Sequence, residues 1–187
     1  MLLKVHGKPQ FLNGQFYLIC LTFMVLVGLI SDTHDNLTAI DKAVELFNSR
    51  NVELAVHAGD WCAPFAMLRF KELKCSLVGV YGNVDGEREK LKDRALELGF
   101  KIDMFEEFKL DGLNGAVIHG VDERIVKALA LSGLYRVLVR GHTHKAAVES
   151  IGGCIVVNPG EACGYLTGRK TIAILDSETL KVETIEL

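Results

Sequence analysis

The chain is expected to fold as a mixed α/β domain, a four-layer αββα sandwich in which two mixed β-sheets pack face to face and helices flank them. Three observations predict this. Strand, loop and helix patterns alternate three times in the first half, which implies parallel strands joined by crossovers. The second half changes to short strands separated by tight turns. At 187 residues and 49% apolar, the chain suits one domain with a substantial core.

The first strand is the apolar run over residues 24–30, which delivers Ser31-Asp32-Thr33-His34-Asp35-Asn36. Asn36 or Thr38 can cap a helix whose apolar positions Ile40, Ala43, Val44 and Phe47 follow the 3.6 period, ending near Arg50-Asn51. Leu54-Ala55-Val56-His57 is a second strand, and Gly59 lets the chain turn sharply to present Asp60. Pro64 opens a helix running to about Leu73, at a first-turn position where its missing N–H costs nothing. A strand over 76–81 leads to the loop Gly82-Asn83-Val84-Asp85-Gly86, and residues 87–98 form a helix with Leu91, Ala95 and Leu98 on one face. Residues 105–110 and 116–119 flank Asp111-Gly112 and Asn114-Gly115, which reads as a hairpin. A helix over 122–132 (Ile125, Ala128, Leu129) leads to a strand at 136–140. Short strands follow at 146–151, 154–158, 171–176 and 180–187, the first two separated by Gly152-Gly153.

Composition excludes several classes of function. A net charge of -3, with no clustering of Lys or Arg, argues against a nucleic-acid surface. The five cysteines form no C-x-x-C pair and are odd in number, so a disulfide framework or zinc knuckle is not expected, and small buried thiols in a reducing cytoplasm are. The apolar run over 16–30, preceded by Lys4 and Lys8, falls short of the ~20 residues of a membrane span. Its second half is needed as the strand that carries Asp32 and His34. Met24 is therefore read as the functional start of a single domain over 24–187, with 1–23 an extension that is either a surplus upstream start or an extra surface piece. A cytoplasmic location without membrane attachment follows.

Five loops, each after its own apolar run, end in oxygen or imidazole donors: Asp32 and His34, Asp60, Asn83, His119, then His142 and His144. Any one has a bland explanation. A histidine after an apolar run, such as His119, is more often structural, and Asp60 or Asn83 after glycine suits a turn. Together they are harder to dismiss, since four of the six histidines fall in these loops, leaving His6 and His57 as ordinary. His142 and His144 would share a face if extended. Seven donors exceed the needs of one tetrahedral zinc and suit two divalent cations sharing one carboxylate, for which Asp60 is a candidate. Mixed oxygen and nitrogen ligation is compatible with manganese, iron, nickel, zinc or magnesium. Two such ions and two carboxylates leave about +2, matching hydroxide plus a phosphate ester anion. In-line displacement by a hydroxide held between ions ~3.5–4 Å apart is the expected reaction.

The blocks Ser31-Asp32-Thr33-His34, His57-Ala58-Gly59-Asp60, Tyr81-Gly82-Asn83-Val84-Asp85, Ile118-His119-Gly120 and Gly141-His142-Thr143-His144 occur in the order seen in the calcineurin-like metallophosphoesterases. The chain from residue 24 onward resembles the small bacterial and archaeal phosphodiesterases of that superfamily, including the tail Asn158-Pro159-Gly160-Glu161. The resemblance implies that Asp32, His34 and His144 hold a first metal with Asp60 bridging, while Asn83, His119 and His142 complete a second. It implies catalytic roles for Asp60, Asn83 and His119, manganese or nickel as the metals, and a small phosphodiester as substrate.

Many phosphatases of the family place His directly after the Asn of the third block, where this chain has Val84. Valine cannot donate a proton, so leaving-group protonation falls to Asp85, Asp35 or water, and activated aryl-like leaving groups are expected to be preferred. Asp85 and Asp35 are better read as loop caps or partners of ligand histidines. Trp61 and the loop over 158–168 either shape a pocket or simply pack. Two other readings are a phosphomonoesterase and a protein-interaction scaffold on the same fold, as the family's retromer subunit is, although scaffold relatives lose part of the ligand set that is complete here. A metallo-β-lactamase would want an H-x-H-x-D-H run, which is absent. Exposed strand edges near the C-terminus are compatible with a homodimer.

Overall fold

A computed structural model describes residues 10–12, 15–17 and 25–187. Strands β1 (Gln10–Leu12) and β2 (Gln15–Tyr17) pair antiparallel with each other. The expected start at Met24 and most of the extension over 1–23 lie outside the described residues, as does Cys20.

The six-stranded sheet has the order β13-β12-β3-β4-β5-β6. Its parallel centre is β3 (Leu26–Ile30), β4 (Leu54–His57), β5 (Ser76–Val80) and the short β6 (Lys101–Asp103). β12 (Thr171–Asp176) runs antiparallel to β3, and β13 (Val182–Glu186) antiparallel to β12. The five-stranded sheet has the order β10-β11-β9-β8-β7. Here β8 (Leu113–Ile118), β9 (Val137–Val139) and β11 (Cys154–Asn158) are parallel neighbours, with β7 (Phe105–Leu110) and β10 (Ala147–Ile151) antiparallel at the edges.

Three apolar layers hold the sandwich together, because alternate residues of each strand point to opposite faces. Between the sheets, Val27, Leu29, Val56 and Val80 meet Phe108, Val117, Val139 and Val157. On the outer face of the larger sheet, Ile30, Ala55, Leu77 and Ile174 pack under α1 (Leu37–Ser49), α2 (Pro64–Met67) and α3 (Arg88–Glu97). On the smaller sheet, Ala116, Leu138 and Val156 meet Val126 and Ala130 of α4 (Glu123–Leu131). Helix, sheet, sheet and helix are the four expected layers.

Local chemistry explains most element ends. The Asn36 side chain accepts from the Ala39 N–H and caps α1. Asp111 and Gly112, both at positive φ, form the two-residue turn of the β7–β8 hairpin, with Leu110 opposite Leu113. Gly115 instead makes room for the Phe108 ring, which a Cβ there would approach to 2.1 Å.

Three expectations need correction. The helix begun by Pro64 turns into a 3-10 helix over Leu68–Glu72, and Met67 and Phe70, three apart, are both buried on one side. The β6 strand was not anticipated. Helix α4 buries Val126 and Ala130 rather than Ile125 and Ala128, leaving Ile125 50% exposed. Val126 and Ala130 pack against Ala116, Leu138 and Val156, and the exposed rim of that face carries Glu123, which pairs with the buried Arg140.

Candidate metal centre

The loops that carry the seven donors leave the carboxyl ends of β3, β4, β5, β8 and β9. Because β3, β4 and β5 are parallel, their loops emerge at one edge of the sheet, where α/β folds collect ligands. Backbone hydrogen bonds then lace the loops together: Asp32 N–H to Gly59 O at 3.0 Å, His34 N–H to Asp60 O at 3.1 Å, and Gly141 N–H to His119 O at 3.0 Å. Asp32, His34, Asp60, His142 and His144 all have positive φ. Such left-handed backbone is sparsely populated and clusters at functional sites. It also corrects the extended reading of 142–144: the two rings part company, each serving a different neighbourhood.

Around Asp32, ligand atoms of Asp32, His34, Asp60 and His144 lie within 4.8 Å of one another. His144 Nε2 is 3.5 Å from Asp32 Oδ1, and the His34 and His144 rings stack with centroids 5.2 Å apart. Beside this group, Asn83 Oδ1 lies 2.9 Å from His119 Nε2 and 2.8 Å from His142 Nδ1. Asp60 stands between the groups, with Oδ2 3.6 Å from His34 Nε2 and 3.3 Å from His119 Nε2. All seven side chains are thus brought to one place. The donors fit a divalent cation on a structural criterion: Asp32 Oδ1 and His34 Nε2 are buried without a hydrogen-bond partner among the described residues. Buried polar atoms are rarely left unpaired, and a cation would pair both.

The electrostatics are those of a concentrated ligand set. Burial pushes the Asp32 carboxyl above its ordinary range, partly offset by the Ser31 hydroxyl and the nearby His119 and His144 rings. Burial also opposes the Asp60 carboxylate, but the hydrogen bond and charge of His119 outweigh it and hold Asp60 below the usual range. For His119, burial is likewise outweighed by Asp60, and its pKa rises. His119 Nδ1 lies 2.7 Å from Ala58 O, so this nitrogen carries a proton and Nε2 faces Asn83 and Asp60.

Surrounding residues set these positions. A Cβ on Gly82 would sit 1.9 Å from Asp60 Oδ1, so only glycine permits this approach. Asp85 accepts from the N–H groups of Cys62 and Gly82, both at 2.7 Å, and Asp35 accepts from Ala63 N–H at 2.9 Å. Both carboxylates therefore brace loops. Trp61 is a packing residue: its indole N–H donates to Val80 O at 2.8 Å and its ring stacks on His57 at 3.4 Å. His57, fully buried, is held well below its ordinary pKa by burial and hydrogen-bonds with Thr33 and Gly59.

Sequence reasoning passed over several neighbours of the donors. Cys62 Sγ lies 3.4 Å from His34 Nδ1, and Cys163 Sγ lies 3.2 Å from the Glu161 carboxylate, so these thiols sit beside the site. Arg140 donates to Gly120 O at 3.0 Å and to Gly141 O at 3.4 Å, tying together the two loops that carry His119 and His142. Glu161 Oε2 is 2.8 Å from His144 Nδ1. Burial alone would raise the Glu161 carboxyl, but hydrogen bonds from His144, Thr167 and Leu166 bring it down to about 2. Glu161 closes the Asn158-Pro159-Gly160-Glu161 tail that forms part of the family resemblance, but nothing in that run says which donor its carboxylate would meet.

Two mixed sheets between helices, with five donor loops converging at one edge, define a class of protein, and comparison with known families agrees. The profile of the calcineurin-like phosphoesterase superfamily domain matches residues 25–180. The chain belongs to this superfamily. Among curated proteins it is 42% identical over 163 residues to a phosphodiesterase of Methanocaldococcus jannaschii, covering 86% of this chain and 98% of that one. A probable metallophosphoesterase of Methanothermobacter thermautotrophicus is 31% identical over 168 residues, covering 86% and 92%. The solved structure of an archaeal phosphodiesterase superposes with a TM-score of 0.84 at 41% identity, over 87% of this chain and 100% of the other.

Proposed function

We propose that this chain is a dinuclear metal-dependent phosphodiesterase in which Asp32, His34 and His144 hold one divalent cation, Asn83, His119 and His142 hold a second, and Asp60 is shared. The observation that carries this is the placement of Asp60 Oδ2, 3.6 Å from His34 Nε2 and 3.3 Å from His119 Nε2, between the two donor groups. The similarity to a phosphodiesterase over 98% of that relative's length supports the diester as substrate class. The complete donor set weighs against a scaffold role.

Bound divalent cations supply Lewis-acid stabilisation of the phosphoryl oxygens and lower the pKa of water. The chain's own residues provide the rest. Asp60 keeps the two halves in register, His119 presents Nε2 with its Nδ1 proton fixed on Ala58, and Asn83 offers its amide oxygen between His119 and His142. Asp85 and Asp35 are occupied as loop braces, so protonation of the leaving oxygen falls to water.

Manganese or nickel is the proposed native metal, with iron, zinc or magnesium compatible with the same donors. The proposed substrate is a small phosphodiester handled in the cytoplasm, with neither nucleic acid nor membrane as partner. No helix among the described residues is long and apolar enough to cross a membrane. Residues 24–187 would form the catalytic unit, with 1–23 an extension and pairing into a homodimer through a sheet edge. Hydrolysis of an aryl phosphodiester by chelated protein before and after adding manganese or nickel tests the reading. Metal-restored activity that exceeds the rate on the matching monoester is expected, and chelator-insensitive hydrolysis would overturn it.

A further inference from the structure

Glu161 is fully buried, yet its carboxylate is among the most heavily contacted groups beside the candidate centre. Oε2 lies 2.8 Å from His144 Nδ1, and both oxygens accept from the Leu166 N–H at 3.1 Å. Oε1 also accepts from the Thr167 N–H and, at 2.6 Å, from the Thr167 hydroxyl, while Cys163 Sγ donates to Oε2 at 3.2 Å. One buried charge therefore gathers a ring of the candidate centre and the loop that follows it.

The other histidines are held differently. His34 Nδ1 faces a thiol, His119 Nδ1 faces a backbone carbonyl, and His142 turns its own Nδ1 toward Asn83. Among these four rings, His144 is the one whose outer nitrogen meets a carboxylate. An ionised carboxylate is acceptor-only, so the shared proton lies on Nδ1 and the Nε2 lone pair is left facing Asp32 Oδ1, 3.5 Å away. A charged partner on the far nitrogen also raises the basicity of the near one.

We propose that Glu161 is a positioning residue, fixing the tautomer and orientation of His144 for the first cation and tying that ligand to the 161–168 loop. This rests on the dinuclear reading above. The loop matters because Tyr165 and Leu166 are 63% and 74% exposed, so the tether that sets the ring also sets where two apolar side chains stand.

The test is calorimetric titration of metal-free protein with manganese(II), comparing Glu161→Gln, Glu161→Ala, His144→Ala and the Glu161→Gln/His144→Ala double variant. Wild type is expected to bind two ions. Glu161→Gln, which keeps the side-chain shape, should weaken one of the two sites by about 10–100-fold and leave the other unchanged. In the His144→Ala background the same substitution should have little further effect, a non-additivity that a general folding role would not produce. Nitrogen NMR of metal-free wild type should show His144 protonated on Nδ1, with that preference lost in Glu161→Ala. Two tight sites and an unchanged His144 tautomer in both single Glu161 variants would overturn the inference while leaving the dinuclear reading intact. Wild type that binds fewer than two ions would overturn that reading, and the inference with it.

Discussion

The backbone N–H of Val84 donates to Asp60 Oδ1 at 3.1 Å while the Val84 side chain stays 46% exposed. One residue thus braces the central carboxylate through its backbone and offers an exposed isopropyl group, not a proton donor, as its side chain. A substrate whose leaving oxygen needs protonation gains nothing from this side chain. Diesters with aryl leaving groups are expected to be cleaved at least about 100-fold faster than alkyl diesters, the scale of a missing general acid. A leaving-group series measured with manganese checks this, and equal rates across the series would contradict it. Val84→His should narrow the gap by speeding the alkyl substrates selectively.

Gly82 is expected to be the most sensitive glycine at the site. A Cβ would lie 1.9 Å from Asp60 Oδ1 and 2.3 Å from the Asp60 backbone nitrogen, so Gly82→Ala must displace the carboxylate or the loop. Because a 1 Å misplacement can cost about 100-fold in rate, that loss in diester hydrolysis is expected even where circular dichroism reports an intact fold. Gly86, with open space around its Cβ position, is the control, and Gly86→Ala should hydrolyse diesters at close to the wild-type rate.

Trp61 supports the site from below. It is buried, stacked on His57, and edge-on to Phe70 at 5.4 Å. Trp61→Ala should destabilise the protein by about 3–5 kcal/mol in urea unfolding, the usual loss for a large buried aromatic. Trp61→Phe, which keeps an aromatic ring but gives up part of the indole volume and the hydrogen bond to Val80, should lose less, about 1–3 kcal/mol.

Acid stability should depend on a group far from the donors. Asp176 Oδ1 accepts from the N–H groups of Thr179 and Glu178 at 2.9 and 3.0 Å in the turn joining β12 to β13. These bonds, Thr179 first, hold its pKa below the ordinary aspartate value of 3.8. A depressed carboxyl contributes stability that is present above the unfolded pKa and lost as pH falls through the folded one. Asp176→Ala should therefore be less stable by about 1 kcal/mol at neutral pH, with the difference shrinking below about pH 4. A difference that stays constant down to pH 2 would contradict this.

How much of the protein could be read from its sequence follows from where the information sits. The three strand–loop–helix units were legible because each strand is a continuous apolar run and Asn36 and Pro64 mark helix starts. β6 was not, since Lys101-Ile102-Asp103 carries one buried residue between two exposed ones and is a strand only because β5 lies beside it. The face of α4 differs from the expected one because two apolar stripes were available, and packing of Val126 and Ala130 on Ala116, Leu138 and Val156 is a tertiary fit that periodicity does not record. At the site, convergence of the seven side chains was foreseeable from their spacing after strands. Cys62 and Cys163 reach the same place through loop conformation alone, including the positive φ of Cys62, and so stayed invisible, while Glu161 stood in the Asn158-Pro159-Gly160-Glu161 tail with no sign that it would meet His144.

The central claim, that one carboxylate joins two three-residue groups into a single dinuclear centre, is tested most directly by metal content. Protein reconstituted with manganese and desalted should carry two equivalents per chain by atomic emission, and Asp60→Ala should lose metal from both positions. One equivalent in wild type, or two retained in Asp60→Ala, would contradict it.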